Sequence, residues 1–156
     1  MIKHVKGNVF DSDSDVFLHQ VNCQGVMGSG VAKQVRSLYP WVYGTYKQLC
    51  DNVADKKNLL GVIQPVYIDE SRVVVNLFAQ EKFGYDGSCY TNYHSLRTCL
   101  EKVCVRFREK KIAIPYRMGC HRGGGDWNVV SKMIQEVFQE CDVTLYEYNG
   151  DEVKQQ

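Results

Sequence analysis

Several things are scarce in this chain of 156 residues, and each scarcity removes a class of function. The formal net charge is +1, from 19 Lys and Arg against 18 Asp and Glu. A surface so balanced lacks the broad basic field that holds nucleic acid or an anionic membrane. No apolar run is long enough to cross a bilayer, and the opening MIKHVKGNVF lacks the apolar core of a signal peptide. A soluble, cytoplasmic protein without a membrane partner is expected. The seven cysteines form no CxxC pair and none sits beside histidines at zinc spacing; they read as reduced, mostly buried thiols, and no metal site is expected. No repeat, low-complexity tract or linker divides the chain, so one domain with a sheet-and-helix core accounts for its length. Both the GK[ST] ending of a Walker loop and the glycine spacing of a dinucleotide fingerprint are missing.

What is present is an alternation of apolar and amphipathic segments. Residues 16–21 read as a strand, and 30–39 as a helix with Val31, Val35 and Leu38 on one side, ended by Pro40. A second helical piece covers 42–50, and strands are expected over 61–68 and 72–79. The run Val73, Val74, Val75, Leu77 and Phe78 suits a strand covered on both faces. Tyr93, Leu96, Leu100, Val103, Cys104 and Phe107 recur at helical spacing and make one buried stripe. A short strand over 111–116, a helix burying Trp127, Val130, Met133, Ile134, Val137, Phe138 and Cys141, and a strand over 143–148 complete a domain over 1–148. The polar tail 149–156 is expected to fray. Strands alternating with long helices imply an α/β fold, a three-layer α/β/α sandwich with a mostly parallel mixed sheet, in which ligands collect beyond the carboxyl ends of the strands.

Two stretches carry the functional signal: HQVNCQGVMGSGVAKQV over 19–35 and IPYRMGCHRGGGDWNVV over 114–130. In each, an apolar segment runs into a glycine-rich turn and then a helix, which aims unpaired backbone N–H groups at one point, at the positive end of the helix dipole. Gly28, Ser29 and Gly30 let the backbone approach an anion closely, and equally make a tight strand-to-helix turn. Gly119, Gly123, Gly124 and Gly125 crowd the second loop more densely than a turn alone requires. Both loops leave the C-terminal end of a strand, so they are expected on one rim, around a pyrophosphate. Cys23 and Cys120 fall inside the loops, where packing is favoured over nucleophilic chemistry because no base is fixed beside either.

The opening VKGNVF, the loop HQVNCQGVMGSGVA, the strand NLFAQ, the segment IPYRMGCHRGGGDW and the closing TLYEY occur in one order along 2–148. On these motifs the chain resembles the macrodomains, the ADP-ribose-binding fold. Within that family it looks like phage and bacterial proteins related to the yeast ADP-ribose 1″-phosphate phosphatase, and like the terminal ADP-ribose glycohydrolases. The resemblance implies ADP-ribose or a 1″-substituted derivative as ligand, no cofactor, and nucleic acid as a partner only if it is itself ADP-ribosylated; a monomer is expected. It also implies a residue map. Asn8, with Val9 beside it, takes the place of the acidic residue that binds the adenine amino group, and its side-chain oxygen still accepts from an amine. Gly28, Ser29, Gly30 and Val31 match the first loop that wraps the pyrophosphate and distal ribose; Pro115, Met118, Gly119, Cys120, Arg122, Gly123, Gly124 and Gly125 match the second. Asn22 matches a position near the distal ribose, and Tyr148 flanks the adenine, where stacking and core packing are both open.

The implied chemistry is hydrolysis at the 1″ carbon, most concretely ADP-ribose 1″-phosphate to ADP-ribose and phosphate. Binding without turnover, and release of ADP-ribose from protein or nucleic acid, stay open because a shared pocket does not fix the leaving group. Such hydrolysis needs a group that orients or activates water. His19 is the leading candidate, against the alternative of a strand histidine bonded to backbone. Asn22, the second catalytic candidate, falls on the opposite face of a regular strand, so a bend is needed to join the two. Asp126 is the third, although an N-cap is the plainer role for a carboxylate directly before the last helix. Arg122 either clamps a phosphate oxygen or is solvated. Glycohydrolases that form a lysyl intermediate carry lysine where this chain has Gln80 and aspartate where it has Gly123, with Lys82 nearby; a lysine-dependent mechanism is not expected.

Overall fold

The computed structural model describes residues 2–28 and 30–148; Met1, Ser29 and the tail 149–156 lie outside the described residues. Strands β1 (Ile2–Lys6), β2 (Val16–Asn22), β3 (Ile63–Tyr67), β4 (Val73–Gln80), β5 (Lys111–Pro115) and β6 (Asp142–Glu147) form one sheet in the order β1-β6-β5-β2-β4-β3. All pairings are parallel except β3 with β4. Helices α1 (Gly30–Leu38) and α2 (Pro40–Asn52) cover one face, and α3 (Tyr93–Phe107) and α4 (Trp127–Val137) the other. The fold is thus the three-layer α/β sandwich expected.

Alternation along the central strands divides the core in two. Phe17 and Val21 of β2 join Val74 and Phe78 of β4 under Val35, Val42, Tyr46 and Cys50. Val16, Leu18, Val75 and Leu77 point the other way, against Leu96, Leu100, Val103, Val130 and Ile134. Central strands buried on both faces read as unbroken apolar runs, which is why β4 was legible. The edge strand β1 was not anticipated: most of it is exposed, and IKHVK has neither a continuous apolar run nor a buried alternation. Pro40 acts differently from the expectation that it only ends a helix. It stops α1 at Leu38 and, with its fixed φ and no donor to lose, opens α2 in the first turn.

Because β2, β4, β5 and β6 run parallel, their carboxyl ends share one rim. Val9 and Gly28 stand on loops that reach the same rim.

Candidate functional site

A cleft of about 530 Å³ opens along that rim. Tyr146, Glu147 and Tyr148 wall it at the end of β6, Pro115 to Gly119 after β5, Gln20 to Asn22 on β2, and Gln80 with Phe83 to Tyr85 after β4. Three strand spacings of about 4.8 Å make this a slot roughly 14 Å long. Both glycine loops contribute: Gly28, Gly30 and Val31 from the first, Met118, Gly119, Arg122 and Gly123 from the second. The expected convergence of the loops on one rim is what the structure has.

The second loop owes its glycines to packing. The Gly123 carbonyl accepts from the Tyr90 and Thr91 amides at 2.7 and 2.9 Å, and Thr91 Oγ1 donates to the Gly119 carbonyl at 2.7 Å. Residues 88–91 therefore lie flat against the loop. A Cβ on Gly124 would stand 2.1 Å from the Ser88 carbonyl oxygen, one on Gly123 2.6 Å from the Gly119 carbonyl oxygen, and one on Gly125 2.8 Å from that same atom. Gly119 and Gly124 also have positive φ, +79° and +68°. The density of glycine, attributed on sequence to an anion cradle, is thus required by backbone contact. Gly124 and Gly125 do not line the cleft, nor does Cys120, which is buried with its thiol pushed up to about 11 by desolvation.

The first loop is built otherwise. Asn22 Nδ2 donates to the Val26 carbonyl at 2.9 Å, while its Oδ1 accepts from the Gln24 amide at 2.9 Å and from Tyr46 Oη at 2.9 Å. A register shift after Val21, which pairs Asn22 with Gln80 instead of Ala79, is the bend that a regular strand lacked. It turns Asn22 toward Tyr46 of α2, on the side of the sheet that His19 also faces. The side chain lines the cleft with its polar atoms already engaged, so its evident work is to tie residues 22–26 into a loop. Cys23 is buried beneath, its thiol pushed up to about 12 by desolvation, which removes it as a nucleophile. Gly28 is different from the glycines of the second loop: a Cβ there would meet nothing nearer than Val26 Cγ1 at 3.8 Å, and its φ lies outside the left-handed region.

His19 forms part of the cleft wall but is 2% exposed. Its Nε2 lies 2.5 Å from Asn76 Oδ1 and its Nδ1 has no partner. Burial holds the imidazole down to about pKa 4, against the smaller opposing effect of the Asn76 bond, so it is neutral through the physiological range.

Two further candidates, besides Cys120, Gly124 and Gly125, stand outside the cleft lining. Asp126 Oδ1 accepts from the Asn128 amide at 2.8 Å as the N-cap of α4, the plainer of its two roles. Asn8 Oδ1 accepts from the Phe10 amide at 3.0 Å, capping the short turn Val9–Asp11, while Val9 does line the cleft. The remaining binding residues, Pro115 and Tyr148, line it as well; Ser29 is outside the described residues.

Two lining residues, Gln20 and Arg117, carried no sequence signal. Gln20 Nε2 donates to Gln80 Oε1 and to Thr91 Oγ1, both at 2.8 Å, and Gln20 Oε1 is buried without a partner. Gln80 Nε2 donates to the Lys82 carbonyl at 2.9 Å, and no lysine is among the lining residues. Arg117 has a φ of +65°, rare for a side-chain-bearing residue. Arg122 lies 4.5 Å over the Tyr85 ring, with its Nε buried and unpaired. His121 is held below its ordinary pKa by desolvation and by Arg122 and Arg117. Arg117 and Arg122 make the second-loop wall cationic, with Glu147 the one acid in the lining and engaged by His4 at 2.9 Å. A cationic wall beside a glycine-rich loop suits a diphosphate. No group of three His, Cys, Asp or Glu side chains among the described residues is arranged to hold a metal ion, and no described helix is long and apolar enough to cross a membrane.

No family model matches the chain. It is 26% identical over 153 residues to the DNA ADP-ribosyl glycohydrolase of Mycobacterium tuberculosis, covering 96% of this chain and 43% of that protein. It is 30% identical over 118 residues to the ADP-ribose 1″-phosphate phosphatase of Saccharomyces cerevisiae, covering 70% of this chain and 63% of that one. The chain therefore spans less than half the length of the mycobacterial relative. The macrodomain of M. tuberculosis DarG superposes with a TM-score of 0.75 at 23% identity, over 94% of this chain and 97% of its own. Thermosipho africanus DarTG, solved in complex with ADP-ribose, superposes with a TM-score of 0.74 at 19% identity, over 94% of this chain and 41% of its own. The fold is that of a macrodomain. Within that class the chain resembles proteins that are named for hydrolysis of ADP-ribosyl derivatives.

Proposed function

We propose that the cleft binds ADP-ribose and that the protein hydrolyses a 1″-substituted derivative of it, first of all ADP-ribose 1″-phosphate, to ADP-ribose and phosphate. One observation carries the reading: two strand-to-helix glycine loops face each other across a single slot with aromatic side chains at both ends and two arginines on one wall. Tyr148 and Tyr146 supply the aromatic surface for the adenine at the β6 end. Gly28, Gly30 and the cationic second loop take the diphosphate. The distal ribose then falls over β2 and β4, against Gln20, Asn22 and Gln80. A buried neutral His19 serves there as an acceptor rather than as a cation. In this reading Asp126 serves as the cap of α4 and Asn22 as the tie of the first loop, in line with the bonds they make.

A second leaving group is favoured by a separate observation. The DNA ADP-ribosyl glycohydrolase aligns over nearly the whole chain, the phosphatase over less of it, and the exposed rings of Phe83 and Tyr85 stand where a departing nucleobase could stack. The test sets the substrates side by side: phosphate release from ADP-ribose 1″-phosphate, and ADP-ribose release from ADP-ribosylated single-stranded DNA and from protein modified on carboxylates. Phosphate release is the expected result. Turnover of DNA alone assigns the second reading, and calorimetric binding of ADP-ribose with no turnover leaves a binding module. Failure to bind ADP-ribose in preference to ADP, AMP and NAD refutes all three.

A further inference from the structure

We propose that Asn76 and Gln64 are positioning residues: a hydrogen-bonded ladder anchored on the Thr45 carbonyl holds His19 as the tautomer carrying its proton on Nε2, leaving Nδ1 as a fixed acceptor for a ligand hydroxyl or an ordered water. The inference rests on the reading of the cleft as an ADP-ribose site.

The direction of every bond in the ladder follows from its fixed end. The Thr45 carbonyl only accepts, so the group facing it at 3.2 Å is the amide nitrogen of Gln64. Gln64 Oε1 is then turned toward β4, where it accepts from Asn76 Nδ2 at 3.0 Å. That leaves Asn76 Oδ1 facing His19 Nε2, and an amide oxygen only accepts, so Nε2 carries the hydrogen. The register of the sheet sets the three side chains in a row, since His19 pairs with Asn76 and Asn76 with Gln64 across β2, β4 and β3. An asparagine with no exposed surface in the centre of the strand VVVNLFAQ is otherwise out of place, because burying an amide among apolar neighbours is unfavourable unless its bonds are made.

The consequence lies at Nδ1. It is buried, belongs to a ring in the cleft wall, and has no protein partner. A neutral nitrogen lone pair accepts from an O–H and repels an oxyanion. His19 therefore reads a hydroxyl of the ligand or holds a water by its hydrogen, while the phosphates belong to the opposite wall with Arg117 and Arg122.

The tautomer is visible directly in the imidazole nitrogen resonances of the 15N-labelled full chain, with His19→Gln picking out its signals among the four histidines. His19 is expected to show a protonated Nε2 and a bare Nδ1, the latter shifting on saturation with ADP-ribose. Gln64→Met, at a half-buried position, frees the Asn76 amide to rotate; His19 then samples both tautomers and ADP-ribose binds about ten-fold more weakly, the loss of roughly one hydrogen bond. Gln64→Glu still accepts from Asn76 Nδ2 and keeps the single tautomer, which separates loss of direction from loss of packing. A protonated Nδ1 in the parent chain overturns the inference, as does a Nδ1 signal that ADP-ribose leaves unmoved. A wild-type tautomer in Gln64→Met, or scrambled tautomers with undiminished affinity, does so too. Calorimetry on the parent chain is run alongside: absence of ADP-ribose binding there brings down the reading of the cleft and this role with it, whereas a wrong tautomer in a chain that binds brings down the ladder alone.

Discussion

The two glycine loops look alike in sequence and are held by different forces. In the second, glycine is a condition of the fold: Gly124 lets the Ser88 carbonyl lie against the loop, and Gly123 and Gly125 let the Gly119 carbonyl close in, at distances no Cβ tolerates. In the first, the polar side chain of Asn22 and the hydroxyl of Tyr46 do the holding, and Gly28 stands in open space. A glycine that packing demands reports on the neighbouring backbone, whereas one that packing leaves free keeps room for something outside the chain. The first loop is therefore the better witness for a ligand, although the second has the denser motif.

Four substitutions or conditions press on that contrast, from the largest effect downward. Gly124→Ala forces a side chain into a left-handed φ and against the Ser88 carbonyl, and is expected to lower stability by about 3 kcal/mol or more in urea denaturation. Retention of parent stability would show that the second loop is as roomy as the first.

Between the loops, buried His19 makes the fold sensitive to acid. Its native pKa of about 4 lies below the ordinary 6.5, so between these values the unfolded chain binds a proton that the native chain does not. Stability then rises with pH across that window, by an amount on the order of 3 kcal/mol, and is flat for this group above it. Denaturation series from pH 4 to 7 on the parent and on His19→Leu check this, since the variant lacks that slope.

Gly28→Ala meets only Val26 Cγ1. Unfolding free energy is expected to change by less than about 0.5 kcal/mol while ADP-ribose affinity falls about ten-fold. Calorimetry beside urea denaturation separates the two, and parent affinity in this variant would remove the first loop from the site. Asp126→Ala deletes the cap of α4 and should cost about 1 kcal/mol of stability with ADP-ribose affinity changed less than about two-fold. A larger loss of binding would return Asp126 to the cleft.

How much of this was legible follows from the range of each interaction. The buried strands and the stripe of α3 were readable because burial on both faces or on one helical face leaves a local pattern in residue type. β1 was not, because an exposed edge is held by ladder bonds to β6 that any residue makes through its backbone. The loops were found from glycine content, and their placement on one rim followed from parallel strands. The reason for Gly124 was not legible, since Ser88 is remote from it in sequence and carries no mark of touching it, and the fold of the loop that brings the Gly119 carbonyl onto Gly123 and Gly125 leaves no pattern in residue type. His19 was singled out, but its burial, and with it its charge state, depended on layers packed above and below. Gln20 and Arg117 were passed over because nothing in residue type alone distinguishes a polar side chain on a cleft wall from one in solvent.

By itself, then, the order of residues determined the layering of helices on a parallel sheet and the presence of glycine-rich loops at its carboxyl edge, because both depend on periodicity and backbone sterics within a few residues. Which glycines are packing and which are opening, which histidine nitrogen bears the hydrogen, and which polar groups are already engaged were decided only by the assembled sheet. These depend on contacts between segments far apart in the chain, whose distances no local pattern records.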